Sequence, residues 1–200
     1  MDNYAKQAAQ AQEHFLTYDQ EKIIAKCRLS YDHDYLYPTL FGLAYRLCRK
    51  TGCVERKQEA AWHEAGFNEI MTILDILCDS KEERFLTGRW QGMQNFGHQF
   101  HQNLLEGKDR FAEAVDKDPE AFRKACRALG GTEIPGADVG YAIEVMDGLQ
   151  VALQFWHSDE EFPAQIRYFW DENALQYIRY ETMYFAVGHL RSLLFRLLVV

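Results

Sequence analysis

Apolar positions along this chain switch between helical and strand periods, and the switches outline the fold. Residues 2–27 predict one helix, with Phe15, Ile23 and Ile24 as sparse apolar positions among Ala, Gln, Glu and Lys. Strand signals follow. Tyr35 to Leu40 and Leu43 to Arg49 flank Phe41-Gly42, and Leu43, Tyr45 and Leu47 alternate with Ala44, Arg46 and Cys48. Pro38, which has no amide donor, marks the first run as an edge or bulged strand. Thr51-Gly52 turns the chain toward a short strand near Val54. The period then returns to helical: Phe67, Ile70, Met71, Leu74, Leu77 and Cys78 form an amphipathic stripe. Residues 79–97 are polar and Gly-punctuated and predict an irregular loop, after which Phe100 and Leu104 open another helix. Asp118-Pro119-Glu120 is a helix start, with Asp as cap and Pro in the first turn, and Gly130-Gly131 stops that helix.

The last switch predicts a three-stranded meander over Val139 to Asp171. Tyr141, Ile143 and Val145 share one face, and Asp147-Gly148 suits a two-residue hairpin turn. Val151, Leu153 and Phe155 line the returning strand, and Ile166, Tyr168 and Trp170 the third. Asp171 is placed to cap a short helix through Tyr177, and a terminal helix follows. Segregated helix and strand runs imply an α+β fold over residues 1–200 as a single domain: an antiparallel sheet with helices packed on one face, then the meander and its terminal helix.

Composition narrows the function classes. The 200 residues carry a formal charge of −8, which argues against a nucleic-acid footprint. Met183 to Val200 is too short for a membrane span and is interrupted by His189, Arg191 and Arg196, so no membrane role is expected. The five cysteines are scattered without a CxxC, and the polar N-terminus has no secretory pattern. Free thiols in a cytoplasmic protein are the expectation. Cys48 and Cys53 have four residues between them, too little alone for a zinc or cluster site.

The run Leu153-Gln154-Phe155-Trp156-His157-Ser158-Asp159-Glu160-Glu161-Phe162-Pro163-Ala164 resembles the signature of an uncharacterised family, domain of unknown function 3786. So do Ile166-Arg167-Tyr168-Phe169-Trp170-Asp171, Tyr177-Ile178 and Glu181, and more loosely Glu69 to Leu77 with Arg89-Trp90 and Phe96. The resemblance implies a protein of anaerobic bacteria or archaea, in a family sometimes joined to iron–sulfur modules and without an assigned activity. This chain lacks a cysteine quartet, so no cluster site and no catalytic residue transfers.

Three places carry candidate chemistry. The turn His157-Ser158-Asp159-Glu160-Glu161 puts an imidazole among carboxylates, suited to proton transfer or a divalent cation; the alternative is a solvated acidic turn. His98 and His101, three apart, suit two metal ligands on one helix side, with His63, Glu64 or Asp32-His33-Asp34 as partners; surface histidines are the alternative. Arg89 and Trp90 head a Gly-containing loop able to grip an anionic or aromatic ligand, or else Trp90 plugs the core while Arg89 pairs with an acid of the 159–161 turn. No cofactor is indicated. The reading that results is a binding module for a small molecule or a protein partner, an accessory subunit of anaerobic metabolism, forming a homo-oligomer through the apolar C-terminal helix. A small-molecule or metal-dependent enzyme built on His157–Glu161 and His98/His101 is the alternative.

Overall fold

A computed structural model describes residues 3–97 and 109–198. The expected α+β architecture is present, with every paired strand antiparallel. The strands form two sheets, and the chain clusters into two compact units, Met1–Phe85 with Leu175–Ala186 and Leu86–Ala174 with Val187–Val200.

In the first unit the expected single N-terminal helix is two: α1 (Asn3–Phe15) and α2 (Gln20–Cys27). Asp19 causes the break. Its carboxylate accepts from the Glu21 and Lys22 amides and starts a new helix, while the Thr17 hydroxyl donates back to the His14 carbonyl. Then come β1 (Ser30–Tyr31), β2 (Tyr35–Tyr37), β3 (Thr39–Leu40), β4 (Leu43–Cys48), β5 (Val54–Gln58) and β6 (Ala61–Glu64), in spatial order β1-β2-β4-β5-β6 with β3 also on β4. Pro38 interrupts the predicted strand between β2 and β3, as an amide-less residue should. Phe41 and Gly42, with φ of 51° and 72°, make the two-residue turn into β4. Helix α3 (Phe67–Asp79) buries Ile73 and Ile76 as well as Ile70, Leu74 and Leu77, so its apolar surface is wider than the stripe implied.

In the second unit β7 (Trp90–Gly92) lies within the segment expected to be irregular. Pairing with the last strand imposes its conformation: Gly92, Gln91 and Trp90 oppose Phe169, Trp170 and Asp171. Next come α4 (Arg110–Lys117) and α5 (Pro119–Ala128), the latter capped by Asp118, whose carboxylate accepts from the Ala121 amide. β8 (Thr132–Glu133), β9 (Val139–Met146), β10 (Leu149–Trp156) and β11 (Gln165–Asp171) complete a sheet ordered β7-β11-β10-β9-β8. The meander holds as expected, and Asp147 and Gly148 sit at φ 54° and 79° in its first turn. Register sets Tyr141 opposite Leu153 and Leu153 opposite Tyr168, so the apolar sets of β9, β10 and β11 share one face. Helix α5 covers that face through Phe122, whose ring lies 6.3 Å from that of Phe155. Asp171 accepts amides from Asn173, Thr87 and Gly88 instead of starting a full helix; one 3-10 turn, Ala174–Gln176, follows. Helix α6 (Tyr180–Leu198) contributes its first residues to the first unit and the rest to the second.

Candidate functional site

The groups of interest in the second unit gather around the first half of β11. Strand β7 pairs with only the last three residues of β11. Beside the remainder, bounded by Met93, Gln94, Asp109, Glu113 and the Pro163–Phe169 segment, is a cleft of about 730 Å³. Its lining is mainly apolar with a few polar side chains, the usual chemistry of small-molecule sites.

A fixed charge pair stands at the cleft wall. Asp109 caps α4 by accepting from the Phe111 and Ala112 amides, and Arg191 grips the same carboxylate with two donors at 2.6 and 2.9 Å. Burial alone raises the Asp109 carboxyl; Arg191 and the two amides outweigh it and leave it below the usual carboxylate range. The Arg191 guanidinium also lies 5.1 Å from the Phe111 ring and reaches the buried Tyr168 hydroxyl at 3.4 Å.

At the β10 end of the same strand pair, a second hollow of about 480 Å³ is lined by Asp138, Trp156, His157, Asp159, Phe162 and Arg167 among others. Its histidine is oriented from three sides. Asp138 accepts the His157 amide at 2.8 Å, the Phe155 ring meets the imidazole edge-on, and Asp116, in the last turn of α4, lies 2.7 Å from Nδ1. An ionised carboxylate only accepts, so the Nδ1–H donates to Asp116 and fixes the ring's orientation. The Ser158 hydroxyl donates to the other Asp116 oxygen at 2.6 Å; that bond first, then the one from His157, holds the Asp116 carboxyl below its ordinary range.

The other sequence candidates fall in different places. Asp159 serves its own turn, accepting from the Glu161 and Phe162 amides, and Glu160 and Glu161 are exposed. Trp90 is 39% exposed and so is no core plug, and Arg89 forms a two-donor pair with Glu172, not with the 159–161 turn. Trp90 opposes Asp171 at one end of β11, while Trp156, just before His157, opposes Gln165 at the other. Six residue-to-residue steps along β11 separate these ends, about 20 Å. The structure therefore does not bring Arg89 and Trp90 to the His157 turn. His98 and His101 lie outside the described residues. Among the described residues, no three His, Cys, Asp or Glu side chains come together to hold a metal ion, and no helix is long and apolar enough to cross a membrane.

Sequence reasoning missed Asp116, Asp109 and Arg191. Asp109 had a usable signal, an Asp directly before an amphipathic run. Asp116 and Arg191 had none, because they meet their partners 41 and 82 residues away.

Residues 19–192 match the profile of a family described as "Domain of unknown function (DUF3786)". No curated protein and no solved structure matches the chain.

Proposed function

The chain belongs to that family, whose description assigns no activity, and we propose that it is a ligand-binding module whose site is the cleft beside β11. The observation that carries this reading is the cleft: its volume falls within the roughly 300–1,000 Å³ of small-molecule sites, its walls are mainly apolar, and Gln94, Glu113 and Gln165 supply polar groups at them. Such a lining suits a compact organic molecule with an apolar body and hydrogen-bonding groups. A cytoplasmic location belongs to the same proposal, supported by cysteines held as thiols, Cys48 and Cys53 among them. Its part in anaerobic metabolism rests on the family resemblance alone. Homo-oligomer formation through α6 is supported by the exposure of Phe195 and Leu197.

The test uses Nile red, a neutral apolar fluorophore. Saturable one-to-one binding is expected, weakened at least tenfold by Ala164→Trp, which fills the cleft, with the urea transition retained. Binding that is absent, or equal in the variant, removes the cleft from consideration. Sedimentation of the same preparation at high concentration checks the oligomer, which a lone 23.4 kDa species rules out.

A second reading, proton-transfer catalysis, is favoured by one observation, the Asp116–His157 pair at the wall of a hollow. Asp116→Asn replaces the anionic acceptor beside the ring with a neutral amide. Carbethoxylation of His157 by diethyl pyrocarbonate at fixed pH is expected to change in rate in that variant. An unchanged rate would show that the carboxylate does not hold the imidazole in place.

A further inference from the structure

Cys48 ends β4 and Cys53 immediately precedes β5, on either side of the Arg49–Gly52 loop. The ladder runs Arg46 opposite Glu55 and Leu47 opposite Val54, so the next step sets Cys48 opposite Cys53, and the Cys48 amide donates to the Cys53 carbonyl at 2.8 Å. Opposed residues of an antiparallel pair direct their side chains to the same face. A regular hydrogen-bonded position holds its two Cα atoms about 5.5 Å apart, inside the range disulfides span; here one of its two bonds is made, and the Cys53 amide turns to the Thr51 hydroxyl instead. Both cysteines are half-buried free thiols. Their spacing is held from the loop side as well. The Gly52 amide donates to the Cys48 carbonyl at 2.9 Å, and a Cβ on Gly52, already at φ 72°, would lie 2.5 Å from the Gln12 carbonyl oxygen of α1.

We propose that Cys48 and Cys53 form a thiol–disulfide exchange site that reacts with disulfides of the glutathione class. This goes beyond the ligand-binding reading and does not depend on it.

The two thiols have unequal roles. Burial pushes the Cys48 thiol up, but the Thr51 hydroxyl and the Lys50 and Thr51 amides outweigh it and leave Cys48 below its ordinary value. Cys53 is raised, first by burial and then by Glu55 and Glu64. Cys48 is therefore the attacking thiolate. It attacks one sulfur of the small disulfide, forms a mixed disulfide and releases one thiolate, which takes a proton from water. Cys53 then gives its proton to solvent, attacks the Cys48 sulfur and expels the second thiolate. The two cysteines lose two electrons, and the small disulfide becomes two thiols. Opposed Cβ atoms start about 4.5–5.5 Å apart, against about 3.5–4.5 Å in a disulfide. Closure draws the strands together, and the strain keeps the bridge reducible. The remaining thiols are unsuited: Cys27 and Cys126 are buried, and burial pushes Cys78 up to about 12.

The test equilibrates the reduced, folded full chain with reduced and oxidised glutathione, quenches by alkylation and maps the peptides by mass. The expected result is loss of alkylation at Cys48 and Cys53 together, as one internal bridge reversed by excess reduced glutathione. Cys53→Ser should stop at a glutathione adduct on Cys48, and Cys48→Ser should form neither bridge nor adduct at Cys53. With the reduced protein, iodoacetamide should modify Cys48 roughly tenfold faster than Cys53. Independent alkylation of both cysteines at every glutathione ratio overturns the proposal, as does an adduct in the wild type that never resolves. Unchanged far-ultraviolet circular dichroism in each serine variant shows that the result concerns folded protein.

Discussion

Replacing Glu69 with alanine is expected to lower the unfolding free energy by about 3–5 kcal/mol. This carboxylate is 7% exposed and serves three donors: the Tyr45 hydroxyl at 2.7 Å, Arg56 at 2.9 Å and, through its other oxygen, the Gly66 amide at 2.6 Å. Each is costly to abandon. The Tyr45 side chain is fully buried, and burial beside an anion pushes its hydroxyl far above the ordinary value, so it stays a neutral donor seeking an acceptor. Arg56 is only 16% exposed and cannot recover full hydration. The Gly66 amide stands at the start of α3, where the helix supplies no acceptor. Urea unfolding followed by circular dichroism measures the loss, and a change below about 1 kcal/mol would mean that the three donors find other partners. Asp34→Ala is the matching control: its pair with Lys50 is more than half exposed at both ends, and no measurable change is expected.

Arg191→Met is expected to cost about 2–4 kcal/mol at neutral pH, less than a fully buried pair because both partners retain about a quarter of their exposure. Methionine keeps an apolar stem of similar length but loses the guanidinium that lies over Phe111 and grips Asp109, so the loss reports the charged head. The pH dependence follows from the direction of the Asp109 shift. A carboxyl held below its unfolded value of about 4 contributes fully above that pH, and its contribution fades as pH falls through the lowered folded value. Without Arg191, the burial that raises Asp109 is less strongly opposed. The difference between wild type and variant should therefore shrink as the pH drops below about 4. A difference that stays constant would assign the cost to lost packing instead.

The sequence was most readable where neighbours decide conformation. Asp147-Gly148, Asp118-Pro119 and the alternation from Tyr141 to Trp170 act locally, and each produced the expected turn, cap or strand face. It was least readable where a distant partner decides. Strand β7 exists because β11 offers a partner, and neither the composition of Arg89-Trp90-Gln91-Gly92 nor its period reveals that pairing. Likewise, the acidic turn drew attention through its carboxylates, yet Asp159 is spent on its own backbone and the group that orients His157 comes from α4. Asp19 is an ordinary cap signal, hidden by the good helix formers on either side.

The sharing of α6 between the units bears on how the chain emerges during synthesis. A nascent chain that has reached Ala174 already contains every described strand, but neither compact unit is complete. Asp75, 1% exposed in the finished fold, still lacks Arg179, which is 104 residues away, and Asp109 lacks Arg191. Both counter-ions arrive on the same late stretch of polypeptide, first for one unit and then for the other. Strand pairing can begin early on the ribosome, while neutralisation of these two carboxylates waits for residues 179–191.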